Sequence, residues 1–260
     1  MTEVKPTAII GLGYVGLPLA QAAVDVGIRI IGFDINERAV KQLAAGQSPI
    51  SDIDDDGIAA MLAKGFEPTS DASRLDECGT FIICVPTPLS EDQGPDLTAV
   101  KSAAATLIPH LADGDLVVLE STTYPGTTEE VVAPILAESG LQVPSQVKLA
   151  FSPERVDPGN ATYGITNTPK VVGGLDEASS AAARDFYSRF CDTVVVAKGA
   201  REAELAKLLE NTYRHVNIAL INELAILSHE LDIDVWDAIR CAATKPFGFQ
   251  AFYPGPGVGG

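Results

Sequence analysis

"IIGLGYVGLPLA", residues 9–20, followed by "IIGFD" at residues 30–34, decides the fold. A run of apolar, β-branched residues leads into Gly11, Gly13 and Gly16, and a stretch of helix formers begins at once behind them. In a G-x-G-x-x-G turn between strand and helix, the glycines serve a tight turn, close approach of the backbone to a pyrophosphate, and close packing of helix on strand. The spacing alone also arises by chance in glycine-rich loops. Here an acidic residue, Asp34, ends the next β-like run, where a carboxylate accepts hydrogen bonds from both ribose hydroxyls and repels a 2′-phosphate. NAD is therefore expected over NADP, with Arg38 the residue that could attend a phosphate.

Outward from this turn, short β-branched runs ("TAIIGL", "IRIIGFD", "TFIICVP", "DLVVLEST", "QVKLAFSP", "PKVVGG", "DTVVVAKG") alternate with alanine-rich helical stretches at 17–26, 37–45, 97–111 and 128–139. That alternation predicts βαβ units and an α/β, doubly wound parallel, Rossmann-like sheet over residues 1–199. From Ala200 the pattern changes to about 30 residues without Gly or Pro, apolar at spacings of three and four, which predicts one helix of roughly 45 Å. A helix that long is expected to span two domains or to bury a face in a second subunit. A short helical segment and a loop follow it, so residues 200–260 read as a connecting helix with a helical central or dimerisation segment.

Lys and Arg number 18 against 35 Asp and Glu, a net charge of −17, which argues against nucleic acid or anionic lipid as partner. The N-terminus is too polar for a secretory signal and no run of apolar residues is long enough to span a bilayer, so a cytoplasmic location is expected, with no membrane partner. Cys78, Cys84, Cys191 and Cys241 lack C-x-x-C spacing and only His110, His215 and His229 accompany them; neither a disulfide framework nor a metal site is expected. Cys84 is expected inside a strand.

In an open α/β sheet the ligand crevice lies beyond the carboxyl ends of the strands. Thr87 in "CVPTP" and Ser121 and Thr122 in "ESTTYPGT" occupy such ends, so their hydroxyls are expected to face the cofactor, though each could serve as a turn or cap residue. "AFSPERVDPG" brings Glu154 and Arg155 to a third strand end. On the long helix Lys207 and Asn211 are four apart, with Arg214 near a further turn on. This face could hold a phosphorylated or polyhydroxyl substrate; the residues alone favour the plainer reading of a solvated face, Glu204 and Lys207 being surface charge.

Taken together, "GLGYVGLPLA", "CVPTP", "ESTTYPGT", "SPERVDPG", "ELAKLLENTYRHVNIALINE", "TKPFGF" and "FYPGPGVGG" resemble, in order and over almost the whole chain, the nucleotide-sugar 6-dehydrogenases. Those enzymes oxidise UDP-glucose, UDP-N-acetylglucosamine or UDP-N-acetylmannosamine to the uronic acid. The resemblance implies a four-electron oxidation at C6 with two NAD in succession, through a thiohemiacetal and a thioester on a cysteine. It implies that Lys207 is the catalytic lysine, with Asn211 its partner in holding the developing alkoxide. Glu154 would be the carboxylate that assists thioester hydrolysis, and Thr122 would position water and touch the cofactor. Arg155, Val156, Lys207, Asn211 and Arg214 match sugar-nucleotide positions; Gly11, Gly13, Tyr14, Val15, Gly16, Asp34, Arg38, Thr87 and Thr122 match the NAD site. "TKPFGF" and "PGPGVGG" resemble the N-acetylhexosamine branch, with UDP-N-acetylglucosamine placed first, UDP-N-acetylmannosamine next and UDP-glucose after it.

In the family the nucleophilic cysteine follows the glycine-rich loop almost at once, and a second α/β domain closes over the UDP; this sequence stops at Gly260, ahead of both. The expectation is the front part of such an enzyme, binding NAD but not completing the oxidation. None of the four cysteines inherits the nucleophile's role. Two rival readings remain: a β-hydroxyacid or 6-phosphogluconate dehydrogenase, which "SPERV" and "PGPGVGG" oppose, and a non-enzymatic NAD-binding module. The apolar positions Leu205, Leu208, Leu209, Ile218, Ile221, Leu224 and Leu227 predict a homodimer through the long helix.

Overall fold

The computed structural model describes residues 5–88, 94–155 and 162–256. They fold in two units, Met1–Leu205 and Ala206–Gly260. In the first, β1 (Thr7–Ile10), α1 (Gly16–Asp25), β2 (Ile30–Phe33), α2 (Glu37–Ala44), α3 (Asp55–Ala63) and β3 (Phe66–Thr69) form one half of an open sheet. The other half is β4 (Thr80–Ile83), α4 (Thr98–Leu107), β5 (Leu116–Leu119), α5 (Ala133–Ala137) and β6 (Lys148–Phe151). β7 (Lys170–Gly174), α6 (Glu177–Tyr187) and β8 (Val194–Val196) extend it to eight strands in the order β3-β2-β1-β4-β5-β6-β7-β8.

β1 and β5 are buried at every position, as strands covered by helices on both faces must be. Alternate residues feed opposite cores: Ile9, Ile30, Val118 and Ala150 pack beneath α1 and α6, while Ala8, Ile31, Val117 and Leu149 pack beneath α4 and α5. The sheet is doubly wound, and the strand order reverses between β1 and β4, which is where such folds open their crevice.

The fold differs from the sequence expectation in three respects. β3, "FEPT", carries Glu and Pro and reads as loop; as an edge strand it tolerates both. α3 and α6 lie outside the helical stretches expected from the sequence, and each is started by an aspartate, Asp54 or Asp176, that accepts a backbone N–H of the first turn. The third difference matters for the site. β6 and β7 pair antiparallel, Phe151 opposite Gly173, so the start of β7 lies at the same edge as the ends of β5 and β6.

α7 (Ala200–Glu230) runs for 31 residues. It ends in a Schellman turn: Asp232, at φ 55, takes the left-handed position, Ile233 N–H donates to Ser228 O and Asp232 N–H to His229 O. Asp234 then caps α8 (Val235–Ala242). Among the described residues no helix is long and apolar enough to cross a membrane.

Candidate functional site

The glycine turn shows which of its residues the protein itself constrains. Gly11 has φ +95, and a Cβ there would meet Cys84 O at 2.9 Å; on Gly16 it would sit 1.9 Å from Gly11 O. Gly13 has no protein atom within 4 Å of such a Cβ. Its open side fits close approach by a ligand. α1 has no side-chain cap and no acidic residue in its first turn, unlike α2, α3 and α6, so the N–H groups at its start suit a pyrophosphate. Tyr14 is exposed and Val15 half-buried beside it.

Asp34 ties this turn to the next strand. Its Oδ2 accepts Leu12 N–H and its Oδ1 accepts Asn36 N–H, each at 2.8 Å, which aims the carboxylate and leaves lone pairs for ribose hydroxyls. Arg38 lies exposed in the first turn of α2. At the neighbouring strand ends Thr87 Oγ1 donates to Thr122 O at 2.7 Å, joining the two loops and leaving Thr122 exposed. Ser121 departs from expectation: it is buried, and its hydroxyl donates to Val85 O at 2.7 Å, so it braces the β4 end instead of facing a ligand.

Glu154 and Thr122 each stand three residues past the paired strand ends Phe151 and Leu119. Glu154 Oε1 accepts Arg155 N–H at 2.8 Å, and its Oε2 lies 4.0 Å from Lys170 Nζ. Arg155 Nη1 donates to Pro169 O at 2.7 Å. Lys170 Nζ also stands 3.0 Å from Glu120 Oε2, a buried ion pair. Tyr187 OH donates to Glu120 Oε1, and the ammonium lies 4.9 Å above the Tyr187 ring centroid. Burial pushes the Glu120 carboxyl up. Burial also pulls Lys170 down, but Glu120 and Glu154 outweigh it and the net is upward. Val156 lies outside the described residues.

In the second unit Lys207, Asn211 and Arg214 follow one another along one side of α7, Lys207 and Asn211 half-buried and Arg214 exposed. Asn222 continues that side at about 3.6 residues per turn. Its amide holds the glycine-rich segment in both directions: Nδ2 donates to Gly255 O at 2.8 Å, and Gly255 N–H donates to Oδ1 at 2.9 Å. Tyr213 OH donates to Gln250 Oε1 at 3.0 Å, so the segment 250–255 runs along α7.

Comparison with known proteins now decides the family. Residues 5–191 match the NAD binding domain of the UDP-glucose/GDP-mannose dehydrogenase family, and residues 201–260 match its central domain. The chain belongs to this family. A UDP-N-acetyl-D-mannosamine dehydrogenase of Methanococcus aeolicus is 38% identical over 263 residues, covering 99% of this chain and 58% of the relative. A UDP-N-acetyl-D-glucosamine 6-dehydrogenase of Salmonella typhi is 39% identical over 257 residues, 97% of this chain and 59% of the relative. The structure of a UDP-D-ManNAc dehydrogenase from Pyrococcus horikoshii superposes with a TM-score of 0.92 at 37% identity, over 98% of this chain and 61% of that one. The chain thus spans 58% to 59% of the length of these two sequence relatives.

In the first unit burial makes Cys78, Cys84 and Cys191 poor nucleophiles. Burial pushes the thiol of Cys78 up to about 12, that of Cys191 up to about 11, and that of Cys84 well up; Cys241 is exposed on α8. Among the described residues no group of His, Cys, Asp and Glu could hold a metal ion. Sequence reasoning assigned no role to Glu120, Lys170, Tyr187 and Asn222, although Glu120 and Asn222 lie within motifs it singled out, and it misread Glu204. Glu204 is fully buried and accepts Gly126 N–H at 2.6 Å, Thr128 N–H at 2.9 Å and the Thr128 hydroxyl at 2.7 Å. An acidic residue amid apolar neighbours at the start of a helix was the available signal for it.

Proposed function

We propose that this chain carries the NAD-binding and central domains of an NAD-dependent dehydrogenase that oxidises the C6 alcohol of a UDP-N-acetylhexosamine to the carboxylate. Beside the family match, this reading is supported by the sheet register: Thr122 and Glu154 each follow by three residues the paired strand ends Leu119 and Phe151, at the edge that carries the glycine turn. Bound NAD supplies the hydride acceptor. Gly11, Gly13, Tyr14, Val15 and Gly16 present backbone to its pyrophosphate, Asp34 takes the ribose hydroxyls with Arg38 nearby, and Thr87 and Thr122 contact it. Lys207 and Asn211 stabilise the oxyanion that develops on the substrate alcohol. Glu154 and Thr122 position and activate water for the hydrolytic step. Arg155, Val156 and Arg214 bind the sugar nucleotide.

The names of the relatives favour UDP-N-acetylmannosamine over the UDP-N-acetylglucosamine that the loop sequences suggest. The glucosamine reading stays second, supported by a relative of equal identity. Calorimetric titration of residues 1–260 with NAD, then with UDP-N-acetylmannosamine, UDP-N-acetylglucosamine and UDP-glucose, tests both. NAD is expected to bind, and the mannosamine nucleotide to bind tightest of the three sugars. No NAD binding would refute the reading, and preference for the glucosamine nucleotide would reverse the substrate order.

We further propose a homodimer through α7. Leu205, Leu209, Leu224 and Leu227 are 54%, 66%, 41% and 48% exposed, an apolar area a soluble surface seldom leaves bare, whereas Ile221 is buried and contributes nothing to it. Light scattering is expected to give twice the chain mass; a monomer at high concentration would refute the dimer.

A further inference from the structure

The NAD site and the α7 side chains leave one group of buried polar side chains without a role: Glu120, Lys170 and Tyr187. It is not an arrangement that stability asks for. Exposure of the Lys170 and Glu120 side chains is 6% and 0%, and a buried ion pair gains little over apolar residues of the same volume, because both ions must be stripped of water. The three groups nonetheless form a closed ring. Tyr187 OH donates to Glu120, Glu120 faces Lys170, and the Lys170 ammonium lies over the Tyr187 ring.

What it points at is Glu154. The antiparallel pairing of β6 and β7 sets Lys170, three residues before Gly173, across from Glu154, three residues after Phe151. The next residues repeat that pairing, with the Arg155 guanidinium on Pro169 O. The Glu154 side chain is 14% exposed, with its two oxygens turned to Arg155 N–H and to Lys170. Among the described residues, the thiols of Cys84 and Cys191 also feel its charge, and burial pushes both of them up.

We propose that Lys170 is a positioning residue: seated on Glu120 and Tyr187, it holds the Glu154 carboxylate against the backbone N–H of Arg155, beside Thr122. On the reading of Glu154 given above, on which this inference rests, the carboxylate that activates water is aimed by a lysine one strand away. Had β7 run parallel to β6, its first residue would lie at the far edge of the sheet.

The test reads the Arg155 amide by nitrogen-proton correlation NMR on residues 1–260. Removing Lys170 alone would strand Glu120 as an unpaired buried charge, so the informative variant is the pair E120Q/K170M, with E120Q/K170Q as a second version should methionine not be accommodated. E154A marks the amide position when the Glu154 bond is absent. In E120Q/K170M the Arg155 amide is expected to move toward its E154A position, in K170R to stay near wild type, and the amides of β1 and β2 to stay put in every variant. An unmoved Arg155 amide in either folded double variant would overturn the proposal. Calorimetry with NAD on the same samples separates the two ideas. Loss of NAD binding in the wild type would refute the functional reading, while the Arg155 amide alone decides the positioning.

Discussion

The three glycines of the turn look alike in sequence and do different work. At Gly16 an added methyl would collide with Gly11 O at 1.9 Å, so Gly16→Ala must shift α1 away from β1. The expected cost is at least about 1–3 kcal/mol, seen in urea denaturation followed by circular dichroism. At Gly13 the methyl meets no protein atom. Gly13→Ala is expected to leave stability within about 0.5 kcal/mol of wild type while NAD affinity falls by roughly tenfold or more, about 1.4 kcal/mol by calorimetry. Undiminished NAD binding in Gly13→Ala would mean that the ligand does not approach this face. The G-x-G-x-x-G spacing and Asp34 were legible because their constraints are local; the contrast between Gly13 and Gly16 needed the packed turn.

Among the elements, α7 was the easiest to foresee and its first turn the easiest to misread. Length and apolar period are local properties of a helix, but the partners of Glu204 lie 76 to 78 residues earlier in the chain. Its carboxylate satisfies the orphan N–H groups where the 124–128 loop enters the next helical segment, and so fixes the start of α7 to the sheet domain. Glu204→Ala leaves those donors buried without an acceptor and is expected to destabilise the first unit by about 3 kcal/mol, from bonds to a charged group worth roughly 1.5–3 kcal/mol each with partial compensation by water. Glu204→Gln, which keeps one acceptor, is expected to lose less. Equal stability of Glu204→Ala and wild type by denaturation would show that the contact carries no load. β3 escaped notice for the opposite reason: Pro68 and Glu67 speak locally against a strand, and only pairing with β2 at the sheet edge makes one.

For the whole molecule, the buried Glu120 and Lys170 tie stability to pH. The folded state raises both groups, Glu120 through burial and Lys170 through the two carboxylates that outweigh its burial. A group raised on folding adds stability that is fully present below its unfolded value and lost as pH rises through its folded value. Glu120 therefore favours the folded state in acid and less so above its raised value, while the contribution of Lys170 persists to about pH 10.5 and fades beyond it. Relative to E120Q/K170M, the wild type is expected to lose stability more steeply above that pH in urea titrations. Parallel curves for the two proteins would rule out this linkage. The sequence by itself determined the α/β class, the NAD fingerprint, the long helix and the strand ends that bear Thr87, Thr122 and Glu154, since glycine sterics and side-chain periodicity act over a few neighbouring residues. Only the tertiary structure decided that β7 runs antiparallel, that Lys170 and Glu120 are buried against Glu154, that Ser121 turns inward, and that Asn222 holds Gly255. Those outcomes depend on the direction in which distant segments meet and on which charges lose their water when they do.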